Sequence, residues 1–525
     1  MQMKKYIASL DVGTTTIRCF IFDLSFKKVG GSTELVQLLN DEPGYFEIEP
    51  ERLWKSIINV IKNAIADASI NIKDVLGLGI STQRSSFITW NRETGEHFHN
   101  FITWKDLRAD QLVQKWNNSF LLKIINNFSY FLYLITRSKR FLAASVLKMM
   151  NSQVTLRLVW QMENNSKLKD AINQKLALFG TLDSWLLYKL RKNSLDIEKF
   201  DHISDITSCT ATGFFDPFTL QWSPLAFRIF KIREEMLPKV VDNNYNFGYV
   251  HKSIFGESIK ISSSFSDQSA AMWGSSCFDD GDVKVTLGTG SFLNLNTGKE
   301  CQASLSGLYP MVGWRFKSGD NSFCFTYCME GAANDTGTVI NWGLNCGLFD
   351  DPTQTSNLAE SVSDTDGVYF VPAFSGIGPP INDYKSASGF LGIRPSTQKA
   401  HMVRALLESI AFRVFQLYEC TKNETSYNLK CIRVDGGVSK NNFICQLIAD
   451  LTNLNVERAT ATEASVLGSA FVVAFNEGLC TNIKELKKFR KIDRIFEPRI
   501  EIGLEYKTKL KVWEDVLTRF KGWYK

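Results

Sequence analysis

Short runs of apolar residues alternate with amphipathic stretches along most of the chain. VLGLGIST and FITWN are typical of buried strands, and ERLWKSIINVIKNAIADA carries apolar residues at the spacing of one helix face. The second half repeats the pattern, with strands in GDVKVTLGTGSFLNLNTG, a long helix in HMVRALLESIAFRVFQLYEC and a strand in CIRVDGG. This alternation predicts an α/β fold with covered sheets.

Two segments share a strand, a turn rich in Gly and Thr, and a returning strand. They are LDVGTTTIRCF and TLGTGSFLNL, which lie about 275 residues apart. The similarity indicates a duplicated unit, so we expect the two turns to face each other across a cleft.

Length and composition narrow the class of protein. The chain has 525 residues, which fits two domains of about 250 residues better than one core. Hydrophobic residues make up 44% and charged residues 22%, as in folded globular proteins. The net charge is only +5 and the basic residues are scattered, which argues against nucleic acid as a partner.

The cysteines and the amino terminus suggest a cytosolic location. Eleven cysteines at irregular spacing, with no Cys-x-x-Cys, are typical of reduced thiols. We expect Cys324 and Cys328 to be buried apolar side chains, and His97 and His99 to lie on an exposed hairpin edge, because no third metal ligand is near. No apolar signal segment precedes the first strand at Tyr6.

The most apolar stretch, FLLKIINNFSYFLYLI, extends from Phe120 to Ile135. It is interrupted by polar residues and is shorter than the roughly 20 residues that span a bilayer. Basic residues follow in TRSKRFLAASVLKMM. We favour a buried helical subdomain; the alternative is that residues 120–150 contact a membrane surface or a protein partner.

The carboxy-terminal run LEYKTKLKVWEDVLTRFKGWYK is also amphipathic. Its large apolar residues recur at helical spacing, with basic residues between them. We expect a helix that packs on the second lobe rather than on a membrane. The sequence does not indicate the oligomeric state, and a homo-oligomer stays open.

The first Gly-Thr turn has the composition of a phosphate-binding loop. Gly13 permits a tight turn, and Thr14, Thr15 and their neighbours add hydroxyl groups beside backbone amides. Asp11 would repel a polyphosphate unless a cation lay between them, which suggests Mg²⁺, and Arg18 offers a further phosphate contact. Taken alone, the segment is more typical of an ordinary tight turn.

Several motifs together resemble the FGGY carbohydrate kinases, and among them the glycerol kinases, particularly a divergent animal branch. They are GLGISTQRSSFITWN, HNFITWKDLRA, FGTLDSWLLYKL, TGFFDP and ESIAFR. The resemblance runs from Tyr6 to Trp523 and is weakest at residues 118–151, which we treat as a variable insert. It implies two actin-like (ribonuclease H-like) ATPase domains, residues 1–275 and 276–525, with the active site in the cleft between them.

The resemblance also implies which residues bind ATP. Mg²⁺ would be bound by Asp11. The phosphates and adenosine would be bound by Gly13, Thr14, Thr15, Arg18, Gly288, Thr289, Gly337, Gly436, Gly437 and Asn441. Glycines leave a surface that a flat purine can approach, although Asp-Gly-Gly is also an ordinary turn.

Asp267, in SSSFSDQSAAMWG, matches the family's catalytic base. Phosphoryl transfer tolerates a weak base, because positioning and charge neutralisation supply most of the catalysis. An aspartate at this position is also a plausible helix cap. Four other positions match substrate contacts: polar groups at Arg84 and Gln268, and an apolar wall at Trp104 and Phe292.

Three positions depart from the glycerol kinase pattern. Ser85 stands where the family has a substrate-binding glutamate, Ser152 aligns with a tyrosine, and Ala387 with an arginine. The first two changes remove hydrogen-bond partners of a small triol, each worth about 1 kcal/mol or more. The sequence therefore predicts the type of reaction more specifically than it predicts the substrate.

The resulting hypothesis is an ATP-dependent kinase whose substrate is a small polyol, most simply glycerol, converted to glycerol 3-phosphate. One alternative is a kinase for another polyol or sugar. Another is a weakly active regulatory protein that binds ATP and a partner through residues 120–150. A chaperone or filament ATPase of the same fold is disfavoured, because the Gln-Arg and Asp-Gln pairs match alcohol-binding motifs.

Overall fold

The computed structural model describes residues 5–191, 201–317 and 323–524. The strands up to the middle of the chain are β1 (Tyr6–Val12), β2 (Thr16–Asp23), β3 (Lys28–Leu35), β4 (Glu47–Ile48), β5 (Val75–Thr82), β6 (Phe87–Asn91), β7 (Phe101–Ile102), β8 (Ala177–Thr181), β9 (Ile203–Asp205), β10 (Phe215–Asp216), β11 (Gln221–Trp222), β12 (Lys239–Val241) and β13 (Ile261–Ser266). The later strands are β14 (Val283–Leu287), β15 (Ser291–Gly298), β16 (Tyr309–Lys317), β17 (Phe323–Ala333), β18 (Tyr369–Val371), β19 (Gly389–Leu391), β20 (Cys431–Asp435), β21 (Asn455–Ala459) and β22 (Ile492–Phe496).

The helices are distributed over both halves. They are α1 (Pro50–Asp67), α2 (Asp110–Asn117), α3 (Phe120–Thr136), α4 (Lys139–Ser145), α5 (Val154–Asn164), α6 (Ser166–Asn173), α7 (Leu182–Arg191), α8 (Ile206–Cys209), α9 (Pro224–Phe230), α10 (Lys252–Phe255), α11 (Asp267–Gly274), α12 (Gly337–Asn345), α13 (Thr355–Glu360), α14 (Lys399–Glu424), α15 (Asn442–Thr452), α16 (Ala464–Asn476) and α17 (Ile500–Phe520). The predicted strands β5, β6 and β20 and the predicted helices α1 and α14 are confirmed.

Two sheets with the same internal arrangement form the centres of the two halves. The first has the order β13-β5-β1-β2-β3, with β5 and β13 parallel to β1 and with β2 and β3 forming an antiparallel meander. The second contains β17-β15-β14-β20-β21 in the corresponding arrangement, extended by β16 and β22 at its edges. The predicted α/β fold and its duplication are confirmed.

Helices α11 and α16 join the two halves. Helix α16 lies late in the chain but packs against α11 and against β1, β5 and β13 of the first sheet. Side chains of both helices share one core with residues of β1 and β16. The Ser9 hydroxyl of β1 also donates a hydrogen bond of 2.6 Å to the carbonyl of Val466.

The crossing of these two helices depends on two glycines. A Cβ atom on Gly468 would lie 1.7 Å from the carbonyl oxygen of Ala270, and one on Gly274 would lie 2.0 Å from that of Ala464. Real Cβ atoms do not approach other atoms so closely, so the backbones of α11 and α16 touch directly. This contact fixes the helix that begins at Asp267.

The carboxy-terminal helix packs as predicted. In α17, Tyr506, Leu510, Trp513 and Leu517 are buried in the core of the second half. The indole N–H of Trp513 donates a hydrogen bond of 2.7 Å to the carbonyl of Phe370.

Helix α3 corrects the favoured interpretation of residues 120–150. The helix exists, but only Leu122 and Ser129 are buried along it, and large apolar side chains such as Phe120 (78% exposed) face outward. The expectation of a buried subdomain is therefore wrong for this face. Hydrophobicity alone predicted burial, whereas α3 packs on one side only, mainly against α4. Within the described residues, no helix is long and apolar enough to cross a bilayer.

Two smaller expectations concern possible metal ligands. Cys328 is buried as expected, but Cys324 is exposed at the start of β17, so the expectation for Cys324 is wrong. His99 is partly buried, and its ring nitrogens lie 2.9 Å from the Thr89 hydroxyl and 2.6 Å from the carbonyl of Asn100. His99 therefore has structural partners on both nitrogens.

The helix crossing yields the first prediction. Gly468→Ala should lower the thermal unfolding midpoint by about 2 °C or more, because overpacking costs about 1–3 kcal/mol and α11 must move away from α16. Helix propensity alone predicts the opposite sign, since alanine is favoured over glycine by about 1 kcal/mol. Ala66→Gly, on the exposed face of α1, measures that propensity effect by itself. An unchanged or higher midpoint for Gly468→Ala would contradict the close crossing.

Candidate active site

The two Gly-Thr turns meet at the mouth of one cavity. The hydroxyl groups of Thr15, between β1 and β2, and Thr289, between β14 and β15, lie 3.0 Å apart. Each turn is closed by a backbone hydrogen bond of 3.0 Å, from Gly13 to Thr16 and from Gly288 to Gly290. The expectation that the turns face each other is confirmed.

The cavity between the turns has a volume of about 1100 Å³. The predicted site residues that line it are Asp11, Gly13, Thr14, Thr15, Arg18, Arg84, Ser85, Trp104, Asp267, Gln268, Gly288, Thr289, Phe292, Gly337, Gly436 and Gly437. The fold thus brings residues from both halves of the chain to one place.

Asn441 is the predicted site residue that does not line this cavity. It caps α15, where its side-chain oxygen accepts a hydrogen bond of 3.0 Å from the N–H of Ile444. Its amide donates to the hydroxyl of Thr355 at 3.0 Å. Both ends of the side chain therefore already have partners within the protein.

Asp267 is the first residue of α11 and follows the cap residue Ser266. Its side chain is 27% exposed, and Oδ1 lies 3.6 Å from Nε of Arg84. Burial raises the pKa of Asp267 to about 6; the Arg84 charge opposes this rise and the Asp11 charge adds to it. A carboxyl group with this pKa is mostly ionised at neutral pH and can still accept a proton.

Arg84 is held by Glu330, a residue that the sequence analysis did not identify. Its Nη2 donates hydrogen bonds of 2.7 Å to both carboxylate oxygens of Glu330. Glu330 also accepts a hydrogen bond of 2.7 Å from Asn294. Nε of Arg84 is buried without a hydrogen-bond partner, so the guanidinium keeps one donor beside Asp267. A single acidic residue inside the apolar strand β17 was the only sequence signal.

A second buried chain of contacts links Gln268 to the other half. Lys284 is fully buried, and its ammonium group donates a hydrogen bond of 2.6 Å to Oε1 of Gln268. It also contacts Thr286, whose hydroxyl donates to Asp435 at 2.7 Å. The oxygen of Gln268 is thus occupied by Lys284. The sequence analysis missed Lys284, although a lone lysine in the strand GDVKVTLG is unusual.

The predicted apolar wall of Trp104 and Phe292 lines the same cavity. The rings of Trp104 and Phe292 lie edge to face, with centroids 6.0 Å apart. The indole N–H of Trp104 donates a hydrogen bond of 2.8 Å to the hydroxyl of Thr14, which itself donates to Gln83 at 2.9 Å. The wall is therefore fixed to the first Gly-Thr turn.

Asp11 lies on β1 just before that turn. It is 4% exposed and accepts a hydrogen bond of 2.8 Å from Ser81, while its other oxygen lies 3.8 Å from Arg18. Burial raises the pKa of Asp11, and the charge of Arg18 opposes this. Among the described residues, no group of three or more His, Cys, Asp or Glu side chains is arranged as a metal site.

The Asp-Gly-Gly turn adjoins the second Gly-Thr turn. Gly436 has φ of +85°, and a Cβ atom there would lie 2.6 Å from the carbonyl oxygen of Leu287. Gly337 begins α12 and is equally close, with 2.8 Å from its Cβ position to the carbonyl oxygen of Gly288. Close backbone packing thus requires glycine at both positions.

The three departures from the glycerol kinase pattern lie in different places. Ser85 and Ser152 both line the cavity, and their carbonyls accept hydrogen bonds from the same nitrogen of Arg157, at 2.7 and 3.0 Å. The Ser85 hydroxyl donates to the carbonyl of Ala211 at 2.8 Å. Ala387 is buried outside the cavity lining, where its N–H donates to the carbonyl of Phe520 at 3.0 Å.

Comparison with known proteins identifies the family. Residues 6–274 match the N-terminal domain of the FGGY family of carbohydrate kinases, and residues 283–477 match its C-terminal domain. The chain belongs to this family. It is therefore an ATP-dependent kinase that transfers phosphate to an alcohol group of a sugar or polyol, and its two halves have the actin-like ATPase fold.

Individual relatives are similar over their whole length. The chain is 43% identical to glycerol kinase 5 of Homo sapiens, covering 99% of this chain and 96% of that protein. It is 32% identical to the glycerol kinase of Haloarcula marismortui, covering 99% and 98%. The crystal structure of Plasmodium falciparum glycerol kinase with ADP superposes with a TM-score of 0.83 at 28% identity, covering 98% of both chains.

The site geometry predicts a loss of nucleotide affinity in one glycine variant. Gly436→Ala should raise the Kd for ADP about tenfold, because the new methyl group meets the Leu287 carbonyl and displaces the turn. Gly478→Ala is the matched control: its φ is +76°, but nothing lies within 4 Å of its Cβ position. Calorimetric titration with ADP measures both variants. Equal affinities in the two variants would contradict a role for this turn at the nucleotide.

Proposed function

We propose that this kinase phosphorylates one hydroxyl group of a small polyol, most simply glycerol to glycerol 3-phosphate. The observation that carries the proposal is the position of Asp267 in the cavity lining, 27% exposed and with Oδ1 3.6 Å from Nε of Arg84. Asp267 offers an acceptor to a hydroxyl group of a substrate, and Arg84 places a positive charge beside it. Gln268, Trp104, Phe292 and Ser85 complete the proposed substrate site.

In the proposed reaction, Asp267 accepts the proton of the attacking hydroxyl group. The bond from the γ-phosphorus of ATP to its bridging oxygen breaks, a bond from phosphorus to the substrate oxygen forms, and ADP leaves. Arg84 and Gln268 orient the substrate, and Glu330 and Lys284 hold these two side chains in place. Positioning of this kind supplies most of the catalysis in phosphoryl transfer.

The two turns are proposed to bind the phosphates of ATP. Thr14, Thr15, Thr289 and Arg18 supply donors, and the glycines of both turns, with Gly337, Gly436 and Gly437, let the nucleotide approach the backbone. Asn441 would then act on the adenosine site through the start of α15 rather than by direct contact.

Mg²⁺ fits this site through Asp11. In kinases, Mg²⁺ is held by one or two carboxylates together with phosphate oxygens and water, so a cluster of three protein ligands is not required. Bound there, it would neutralise phosphate charge. Asp11 itself holds a buried carboxylate close to the first turn, with Ser81 fixing one of its oxygens.

The domain division is also a proposal. The boundary at residues 275 and 276 falls between the two family domains, residues 6–274 and 283–477. Helix α16 is the exception, because it belongs to the second unit by sequence and packs on the first sheet. A cytosolic location is proposed on the chemistry of the eleven cysteines, all of which are free.

Asp267→Asn tests the proposed base directly. Turnover should fall at least about 100-fold, because the amide does not accept the proton, while the Kd for ADP stays unchanged. ADP release is measured with ATP, Mg²⁺ and glycerol or a larger polyol. Asp41→Asn, an exposed position, is the matched control. Wild-type turnover in Asp267→Asn would remove Asp267 from this role.

The same carboxyl group predicts the pH profile. Because the pKa of Asp267 is raised to about 6, its ionised fraction, and with it kcat/KM, should fall about tenfold per pH unit below that value. Burial also raises the pKa of Asp335 to about 6, and this carboxylate accepts a hydrogen bond of 2.7 Å from the N–H of Ser375. Asp335→Asn should therefore keep the inflection of the kcat/KM profile near pH 6. If the inflection disappears in Asp335→Asn, the titrating group is Asp335 and the assignment to Asp267 is wrong.

A further inference from the structure

The cavity does not end at the proposed substrate site. Besides Asp267 and Arg84, it is lined by side chains of the α3–α4 region, among them Ile125, Phe141, Ala144 and Leu147. The opposite side includes Phe214 and the β16 region. The reacting end is thus continuous with an apolar extension, which a three-carbon triol does not need.

Small residues also line the cavity near Arg84. Ser85 follows Arg84 directly, Ser152 follows the α4 segment, and both line the cavity with Ala211. Arg157 binds both serine carbonyls, so the two serines are held side by side. The Ser85 hydroxyl is directed to the carbonyl of Ala211. These side chains leave space and present few free polar groups toward the extension.

Helix α4 is held above the extension from two directions. Lys139 lies 2.9 Å from Glu300 of the second half, and Arg140 lies 2.7 Å from Asp216. The hydroxyl of Tyr309 approaches the sulfur of Met150 at 3.1 Å. The apolar side chains of α4 therefore have fixed neighbours on both sides of the cavity.

The outer face of α3 carries an exposed apolar stripe at helical spacing. The exposed fractions of its side chains are Phe120 78%, Ile124 46%, Phe128 58%, Phe131 56% and Ile135 65%. Residues 118–151 contain five Lys and Arg and no Asp or Glu. Two of the five form the ion pairs with Glu300 and Asp216, which leaves Lys123, Arg137 and Lys148 for a lipid surface. An apolar stripe with basic residues around it is typical of helices that lie on anionic lipid surfaces.

We propose that the acceptor is an amphiphilic alcohol, a glycerol-like polyol with one apolar chain, taken from a lipid surface by α3. This inference rests on the proposed function. The polyol part of this substrate lies at Asp267, and its apolar chain lies between α3, α4 and Phe214. The reaction is otherwise unchanged: the γ-phosphoryl group passes from ATP to the alcohol oxygen, the hydroxyl proton passes to Asp267, and ADP leaves.

A series of 1-O-alkylglycerols, from glycerol to the decyl ether below its micelle concentration, tests the proposal. Each methylene that becomes buried should raise kcat/KM by up to about fourfold. A flat or falling series, with glycerol itself turned over, would overturn the amphiphilic substrate and leave the proposed function standing. If no alcohol is phosphorylated while ADP still binds, the proposed function fails, and this inference with it.

Ala144→Trp should fill the extension. The ratio of kcat/KM for decylglycerol to that for glycerol should fall at least about tenfold, since several methylenes of the alkyl chain are no longer buried. Asn127→Trp puts the same side chain on an exposed position of α3 outside the cavity lining and should keep the ratio. Equal ratios in the two variants would contradict the proposed position of the substrate's alkyl chain in the extension. ADP binding checks that Ala144→Trp is folded. If it is not folded, the alkylglycerol series with the wild-type protein tests the proposal by itself.

Vesicles test the source of the substrate. The wild-type protein should sediment with vesicles of equal parts phosphatidylcholine and phosphatidylserine. Phe128→Glu should reduce the bound fraction at least about fivefold, because a charge enters the apolar stripe. Leu504→Glu, which replaces a 62% exposed leucine of α17, is the matched control. Failure of the wild-type protein to sediment, or equal binding by both variants, would contradict the proposal that α3 binds a lipid surface.

Discussion

The direct contact between the backbones of α11 and α16 is the constraint on which the rest of the site depends. Helix α11 begins at Asp267 and ends at Gly274, and the second half of the chain supplies the helix that fixes it. Because the first sheet, α11 and α16 share one core, the proposed base has a fixed position relative to both turns. The cavity walls are then built outward from this point.

The charges at the base of the cavity are arranged in pairs and chains. Arg84 is neutralised by Glu330, and Lys284 joins Gln268 to Thr286 and Asp435. Removing one member of a buried pair costs about 3–5 kcal/mol, because it leaves an uncompensated charge. Such contacts hold the side chains of Arg84 and Gln268 in one orientation. Asp267 keeps a raised pKa, since burial outweighs the attraction of Arg84.

The sequence predicted features that depend on local chemistry. Strands, the long α14, the closing α17 and the two Gly-Thr turns follow from periodicity and from glycine. The contact of Arg84 with Glu330 joins residues 246 positions apart, and no local pattern indicates it. Asn441 is in the expected motif, yet its side chain caps a helix. Helix α3 was expected to be buried, because hydrophobicity does not say whether a covering surface exists.

The transfer of labelled phosphate from [γ-³²P]ATP tests the central claim most directly. The protein is incubated with Mg²⁺ and glycerol or an alkylglycerol, and the products are separated. The account predicts label in an organic phosphate ester, with little label in inorganic phosphate. Label found only in inorganic phosphate, or left entirely in ATP with every polyol and sugar tried, would contradict an alcohol kinase built around Asp267.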